Sequence, residues 1–123
     1  MKPSLNNAPR IKAKIQLIKG ARINPLLHLS SGKYMPHIVI GDPNQREVKT
    51  QSGTNNISEH YLGVRFVSGP EICDFEIETE VEMTLMYFPD VDYSEALPGK
   101  TFTLREGGKI VGFGTILSRE QNN

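Results

Sequence analysis

The side chains best equipped for chemistry in this 123-residue chain are three histidines, one cysteine and a row of glutamates. His28, His37 and His60 are far apart and lack a metal-ligand spacing such as His-x-x-x-His, so a shared metal site is not expected. Cys73 sits beside Asp74 and near Glu71 and Glu76, where negative charge raises a thiol pKa and discourages thiolate chemistry. It reads as a surface or half-buried cysteine without a function. Glu76, Glu78, Glu80 and Glu82 alternate with Ile77, Thr79, Val81, Met83 and Leu85. On a strand these carboxylates would line one face, about 6–7 Å apart. They could act as an acid–base pair, as a docking stripe for a basic partner, or as a solvated face that discourages aggregation.

Two glycine clusters resemble phosphate-binding motifs without their mechanics. Gly112-Phe113-Gly114 begins like a dinucleotide fingerprint, but Leu117 stands where the third glycine belongs and no helix follows. Gly108-Lys109 is followed by Ile110 and not by a hydroxyl residue. These glycines are expected to permit close backbone approach or a bulge within a strand. No enzyme and no cofactor are expected.

Charge offers a different lead. The formal net charge is zero, from 14 basic and 14 acidic side chains. Residues 1–50 hold nine Lys or Arg against two acidic residues, and residues 51–123 hold five against twelve, so the halves carry +7 and −7. Such asymmetry suits a charged partner, or two halves that attract each other in the fold. Lys12 and Lys14 should share the polar face of a strand. The stretch from Arg10 through Lys19 and Arg22 to Lys33 is a candidate phosphate-binding region.

The elements that must position these residues are strands. Alternation is clean over Ile11–Leu17 and over residues 76–85, and strand-forming residues dominate Tyr34–Ile40, His60–Val67, Thr101–Arg105 and Lys109–Leu117. Gly107-Gly108 predicts a tight hairpin, with Glu106 and Lys109 facing each other across it. Pro98-Gly99 predicts a type II turn. Residues 43–58 are almost wholly polar and form a loop long enough to be mobile or functional. The length fits one domain at residues 11–119, between tails at 1–10 and 120–123. No signal peptide or membrane span is expected, and a cytoplasmic location is the default. Some six short strands with no amphipathic helix predict an all-β fold, a sandwich or a small closed barrel, and the barrel is preferred because closure removes exposed edges.

The segment Gly99-Lys100-Thr101-Phe102-Thr103-Leu104-Arg105-Glu106-Gly107-Gly108-Lys109-Ile110-Val111-Gly112-Phe113-Gly114 resembles the C-terminal pattern of bacterial elongation factor Tu, G-x-x-F-x-[IL]-R-E-G-G-R-T-V-G-x-G. Ile15–Pro25 resembles that family's opening strand and its G-G-R-x-x-P turn, and Lys33-Tyr34-Met35-Pro36-His37-Ile38 resembles its G-Y-R-P-x-F stretch. The likeness spans most of residues 11–118 and is to the third domain, as a stand-alone copy. It implies a six-stranded closed antiparallel β-barrel. It also implies a translation-associated binding module that contacts tRNA backbone or a translation factor, with no GTPase domain and no nucleotide bound. The family's tRNA contacts map onto Arg22, Glu106 and Gly107, with Lys109 beside them. A backbone N–H and a guanidinium suit phosphate or ribose. This chain departs from the pattern at Met35, Lys109 and Ile110, and the Glu76–Glu82 stripe and the 43–58 loop have no counterpart in it. The alternative is a protein–protein module or mimic with no RNA role, using Glu76, Glu78, Glu80, Glu82 and that loop.

Overall fold

The computed structural model describes residues 8–50 and 59–120. Residues 1–7 and 121–123 of the tails expected at 1–10 and 120–123, and residues 51–58 of the polar loop, lie outside them. Eight strands form among the described residues: β1 (Arg10–Leu17), β2 (Leu26–Leu27), β3 (His37–Ile40), β4 (Leu62–Ser68), β5 (Ile72–Cys73), β6 (Thr79–Leu85), β7 (Thr101–Glu106) and β8 (Lys109–Glu120). Six of them close into a barrel in the order β1-β6-β4-β3-β7-β8, every pairing antiparallel. β2 and β5 make a separate two-stranded sheet, and a 3-10 turn at Leu29–Ser31 comes directly after β2 in the chain. The alternation of residue types predicts an all-β barrel, the resemblance implies a six-stranded closed antiparallel one, and this is the architecture observed.

The core arises from that alternation. Ile11, Ala13, Ile15 and Leu17 of β1 are buried while Arg10, Lys12 and Lys14 are exposed. Val64 and Phe66 of β4, Val81, Met83 and Leu85 of β6, and Phe102 and Leu104 of β7 join them inside. Removing this apolar surface from water is the main driving force for closure. Tyr93, from the connection between β6 and β7, is buried with this core, and its hydroxyl donates to the carbonyl of Gly63 at 2.6 Å and accepts from the Tyr87 N–H at 3.1 Å.

β8 and β1 approach most closely where β8 carries glycine. A Cβ on Gly114 would collide with the carbonyl oxygen of Lys14 and lie 2.8 Å from the Phe102 ring; one on Gly112 would lie 2.9 Å from the carbonyl oxygen of Gln16. These glycines therefore permit backbone contact, as their position within a strand suggests. A bulge between β7 and β8 accompanies them, the register shifting between Leu104 and Arg105. The Glu106↔Lys109 register across the hairpin is as expected, with Gly107 at φ +60°, but the opposite-charge pair expected there does not form among the described residues, because Glu106 bonds Arg22 and Tyr34 instead. At Pro98-Gly99 the Lys100 N–H donates to the Leu97 carbonyl at 3.1 Å and Gly99 has φ +89°, as a type II turn requires.

Two expectations need correction. The strand expected over 76–85 begins only at Thr79, because Glu76 adopts a left-handed φ of +64° and its N–H bonds the Leu17 carbonyl instead of continuing the ladder. Ile77 is accordingly exposed, not inward-facing. Tyr34–Pro36 precede β3, which starts at His37; their carbonyls still accept from β4, Tyr34 from the Phe66 N–H and Pro36 from the Val64 N–H, both at 3.0 Å. Gly114→Ala should lower stability by about 2–3 kcal/mol through overpacking at the β1–β8 seam. The exposed Leu117→Ser should change it by less than about 0.5 kcal/mol. Urea unfolding of the two variants measures the contrast.

Candidate functional site

The turn that leaves β1, the stretch that enters β3 and the tip of the β7–β8 hairpin meet at one end of the barrel. Pairing of Leu17 with Gly112, continued by the Ile18 N–H donating to the Val111 carbonyl at 2.9 Å, holds the first of these beside the start of β8. Arg22 then reaches Glu106: its Nε donates to Glu106 Oε2 at 2.7 Å. The Tyr34 hydroxyl donates to the same oxygen at 2.6 Å. Arg22 Nη1 donates to the carbonyls of Asn24 at 2.5 Å and Pro25 at 3.3 Å, so the guanidinium also braces its own turn. The guanidinium carbon lies 5.9 Å from the centre of the Tyr34 ring.

Both charged partners are mostly covered, their side chains 22% and 27% exposed, which strengthens the pair relative to a surface salt bridge. Burial, followed by the bond to Glu106, pushes the Tyr34 phenol well above its ordinary value, so it remains a donor. Arg22 Nη2 has no hydrogen bond among the described residues. The Gly107 N–H is likewise unbonded there, and that residue is exposed. Lys109 sits directly across the hairpin, exposed and without an ion pair among the described residues. Three of the candidate residues, Arg22, Glu106 and Gly107, are thus brought together, with Lys109 adjoining. Tyr34 belongs with them; its only sequence signal is its place in the Lys33–Ile38 stretch.

The glutamate row lies elsewhere. Glu80 and Glu82 are on β6, in register with Lys14 and Lys12 of β1, while Glu76 and Glu78 precede the strand. Ion pairs of 3.9 Å link Arg10 to Glu82 and Lys14 to Glu78. The acidic row and the basic face of β1 are therefore neighbours on one outer surface, and each offsets the other's field. The nearby Cys73 is fully buried, not at or near the surface. Burial is the first cause of its raised thiol pKa and Asp74 only adds to it, where the sequence points to negative charge alone. The histidines are dispersed: His28 Nδ1 is 2.7 Å from Glu71, the His37 ring lies 5.5 Å from that of Tyr61, and His60 Nε2 is 2.9 Å from the Asp92 carbonyl. Among the described residues no group of histidine, cysteine and carboxylate side chains could hold a metal ion.

A second polar cluster escapes the sequence altogether. Arg105 comes after the buried Phe102 and Leu104 out of phase, so alternation would leave it exposed, yet it is fully buried. Its guanidinium donates to both oxygens of Glu59, at 2.9 and 3.2 Å, to the Tyr61 hydroxyl at 3.1 Å and to Thr103 Oγ1 at 2.8 Å. Glu59 also accepts from Gln45 Nε2 at 2.8 Å and the Lys49 N–H at 2.9 Å. These donors converging on one carboxylate, led by Arg105, hold its pKa down at about 2. The cluster fastens residues 45–49 and 59–61 to the outside of β7, close behind the hairpin.

A scan against protein-family models gives no match, and no curated protein matches the chain.

Glu59→Gln leaves a buried guanidinium without its counter-charge and should cost about 3 kcal/mol. Because the Glu59 pKa is lowered from 4.5 to about 2 on folding, its contribution is present above about pH 4.5 and is lost as pH falls towards 2. Denaturant unfolding between pH 2 and 6 should show the wild type losing stability more steeply than Glu59→Gln across that window. Parallel curves would refute the assignment.

Proposed function

We propose that this chain is a non-enzymatic, translation-associated binding module with the barrel of the third domain of elongation factor Tu, acting in the cytoplasm on tRNA backbone or on a translation factor. One observation carries the reading. The three segments that resemble the family, at Arg22, Tyr34 and Glu106-Gly107, come from positions up to 84 residues apart in sequence and converge on a single cluster. The resemblance assigns RNA contacts to that cluster, and its chemistry is compatible with them. Arg22 Nη2, the Gly107 N–H and the Lys109 ammonium are donors suited to phosphate and ribose oxygens, which fix orientation without reading sequence.

Electrostatics sets the scale of such binding. Glu106 offsets Arg22, and the β1 face is offset by the glutamates of β6, so only a few cations remain to release counterions from RNA. Affinity should be modest and fall steeply with salt. Loss of the family arginine at Met35 acts in the same direction, whereas Lys109 keeps the charge. The reading in which Glu76, Glu78, Glu80 and Glu82 dock a basic protein draws no support from their placement beside Arg10, Lys12 and Lys14.

Titration of aminoacylated tRNA at two salt concentrations tests the proposal. The expected result is binding that weakens with salt and is reduced by Lys109→Ala and Arg22→Ala, each lowering the salt slope by about one. Absence of binding at low salt would overturn the RNA reading.

A further inference from the structure

Beside the Arg22 cluster, an open groove of about 580 Å³ runs along β2, within the size range of binding clefts. Pro25, Leu27 and the Tyr34 ring supply its apolar surface, and Arg22, His28 and Lys33 its polar one. No carboxylate lines it. The nearest acidic groups are already engaged, Glu106 by Arg22 and Tyr34, and Glu71 by His28. Lys33 is exposed and has no ion pair among the described residues.

The groove opens onto an apolar surface that folding leaves uncovered. In the two-stranded sheet Leu26 pairs with Cys73, both buried, and Leu27 pairs with Ile72, which are 52% and 61% exposed. Paired residues of an antiparallel ladder point to the same side, so the sheet has a dry inner face and an aliphatic outer one. A solvated strand pair would ordinarily carry polar residues there. Ile23, in the turn leading to β2, is 94% exposed. The rim is also conformationally costly. His28 holds a left-handed φ of +52°, fixed by its N–H donating to the Glu71 carbonyl at 2.8 Å and its own carbonyl accepting from Ser31 at 3.0 Å. A non-glycine residue held in this region is a mark of sites where geometry is constrained.

From the apolar strip, the cationic rim and the lack of a lining carboxylate, we propose that this groove docks an extended acidic and apolar segment of a partner protein. The segment's aliphatic or aromatic side chains cover Leu27, Pro25 and Ile72, and its carboxylates meet Lys33. Apolar contact supplies the affinity and the charges set orientation and partner choice. Docking here rests on Leu27, Ile72 and Lys33, none of which is assigned to RNA backbone, so it does not depend on that assignment, although the groove shares Arg22 and Tyr34 with that cluster.

The probes are a short capped peptide alternating aspartate with leucine and phenylalanine, a version with lysine for aspartate, a version with serine for the apolar residues, and a short oligouridine. Each is titrated into the full chain and followed by amide chemical shifts. The acidic-apolar peptide should shift residues 22–34 and 71–73 saturably, and the lysine and serine versions should bind at least roughly tenfold more weakly. Lys33→Glu should weaken the acidic peptide by roughly tenfold and improve binding of the lysine version, a reversal that misfolding cannot produce. Leu27→Ser should weaken the acidic peptide while leaving the remaining spectrum in place. No saturable shift, equal binding of the serine version, or stronger shifts of the same residues by oligouridine would overturn the proposal. So would self-association of the chain that buries Leu27 and Ile72 and is unaffected by the peptide.

Discussion

The contact on which the rest of this structure depends is the backbone approach of β8 to β1. It closes the barrel, and it requires two positions without side chains, Gly112 and Gly114, where any Cβ meets the carbonyl oxygens of Gln16 and Lys14. The same approach sets the arrangement at the end of the barrel. With Leu17 paired to Gly112 and Ile18 bonded to Val111, the turn after β1 is delivered to the hairpin between β7 and β8. Only then do Arg22 and Glu106, 84 residues apart in the sequence, fall within hydrogen-bonding distance. Functional geometry is here a consequence of seam geometry: the ion pair does not close the barrel, but closure makes it possible.

Much of the barrel is legible in the sequence because a strand buried on one face writes its environment into every second residue. β1 reads this way without exception from Ile11 to Leu17 on its inner positions, as does β6 from Val81 to Leu85. The Gly107-Gly108 turn is legible for a different reason, since a two-residue hairpin needs a backbone conformation that glycine supplies at no steric cost. Where the reading fails, a tertiary contact has overridden the local pattern. Glu76 and Ile77 continue the alternation of β6 but leave the strand, because the Glu76 N–H is captured by the Leu17 carbonyl. β2 and β5, at two residues each, are too short to carry a period.

Arg105 lies beyond the reach of local pattern. Alternation assigns it correctly to the outer face of β7, and hydropathy then exposes it. Hydropathy fails because Glu59 and Tyr61, more than 40 residues earlier, fold over that face and supply its partners. No local property of residues 101–106 encodes this. The candidate site is legible to an intermediate degree. Arg22, Glu106, Gly107 and Lys109 can be named from motif resemblance, whereas Tyr34 enters only through its hydroxyl's bond to Glu106. The groove along β2 has no sequence signature, since its apolar and cationic residues look like an ordinary loop until the two-stranded sheet sets Leu27 beside Ile72.

The opposed charges of the two halves acquire a spatial meaning. β1 and β6 are adjacent, so Arg10, Lys12 and Lys14 stand in register with residues on or beside the glutamate row, and much of the dipolar sequence is cancelled along one side. The ion pairs there are long, at 3.9 Å, and partly solvated, so they add little to stability. Their consequence is electrostatic: a neutralised flank cannot steer a charged partner, and steering falls to the barrel end. There Arg22 belongs both to the cluster proposed for RNA backbone and to the lining of the β2 groove. Its Nε and Nη1 are committed to Glu106 and to its own turn, which holds the guanidinium rigid between the hairpin tip and the β2 groove. Fixing Arg22 in this way costs net charge but removes the rotamer entropy that a free arginine would lose on binding. A partner at this end of the barrel would therefore meet one donor, Nη2, already in place, so that weak electrostatics and preorganised geometry would act together there.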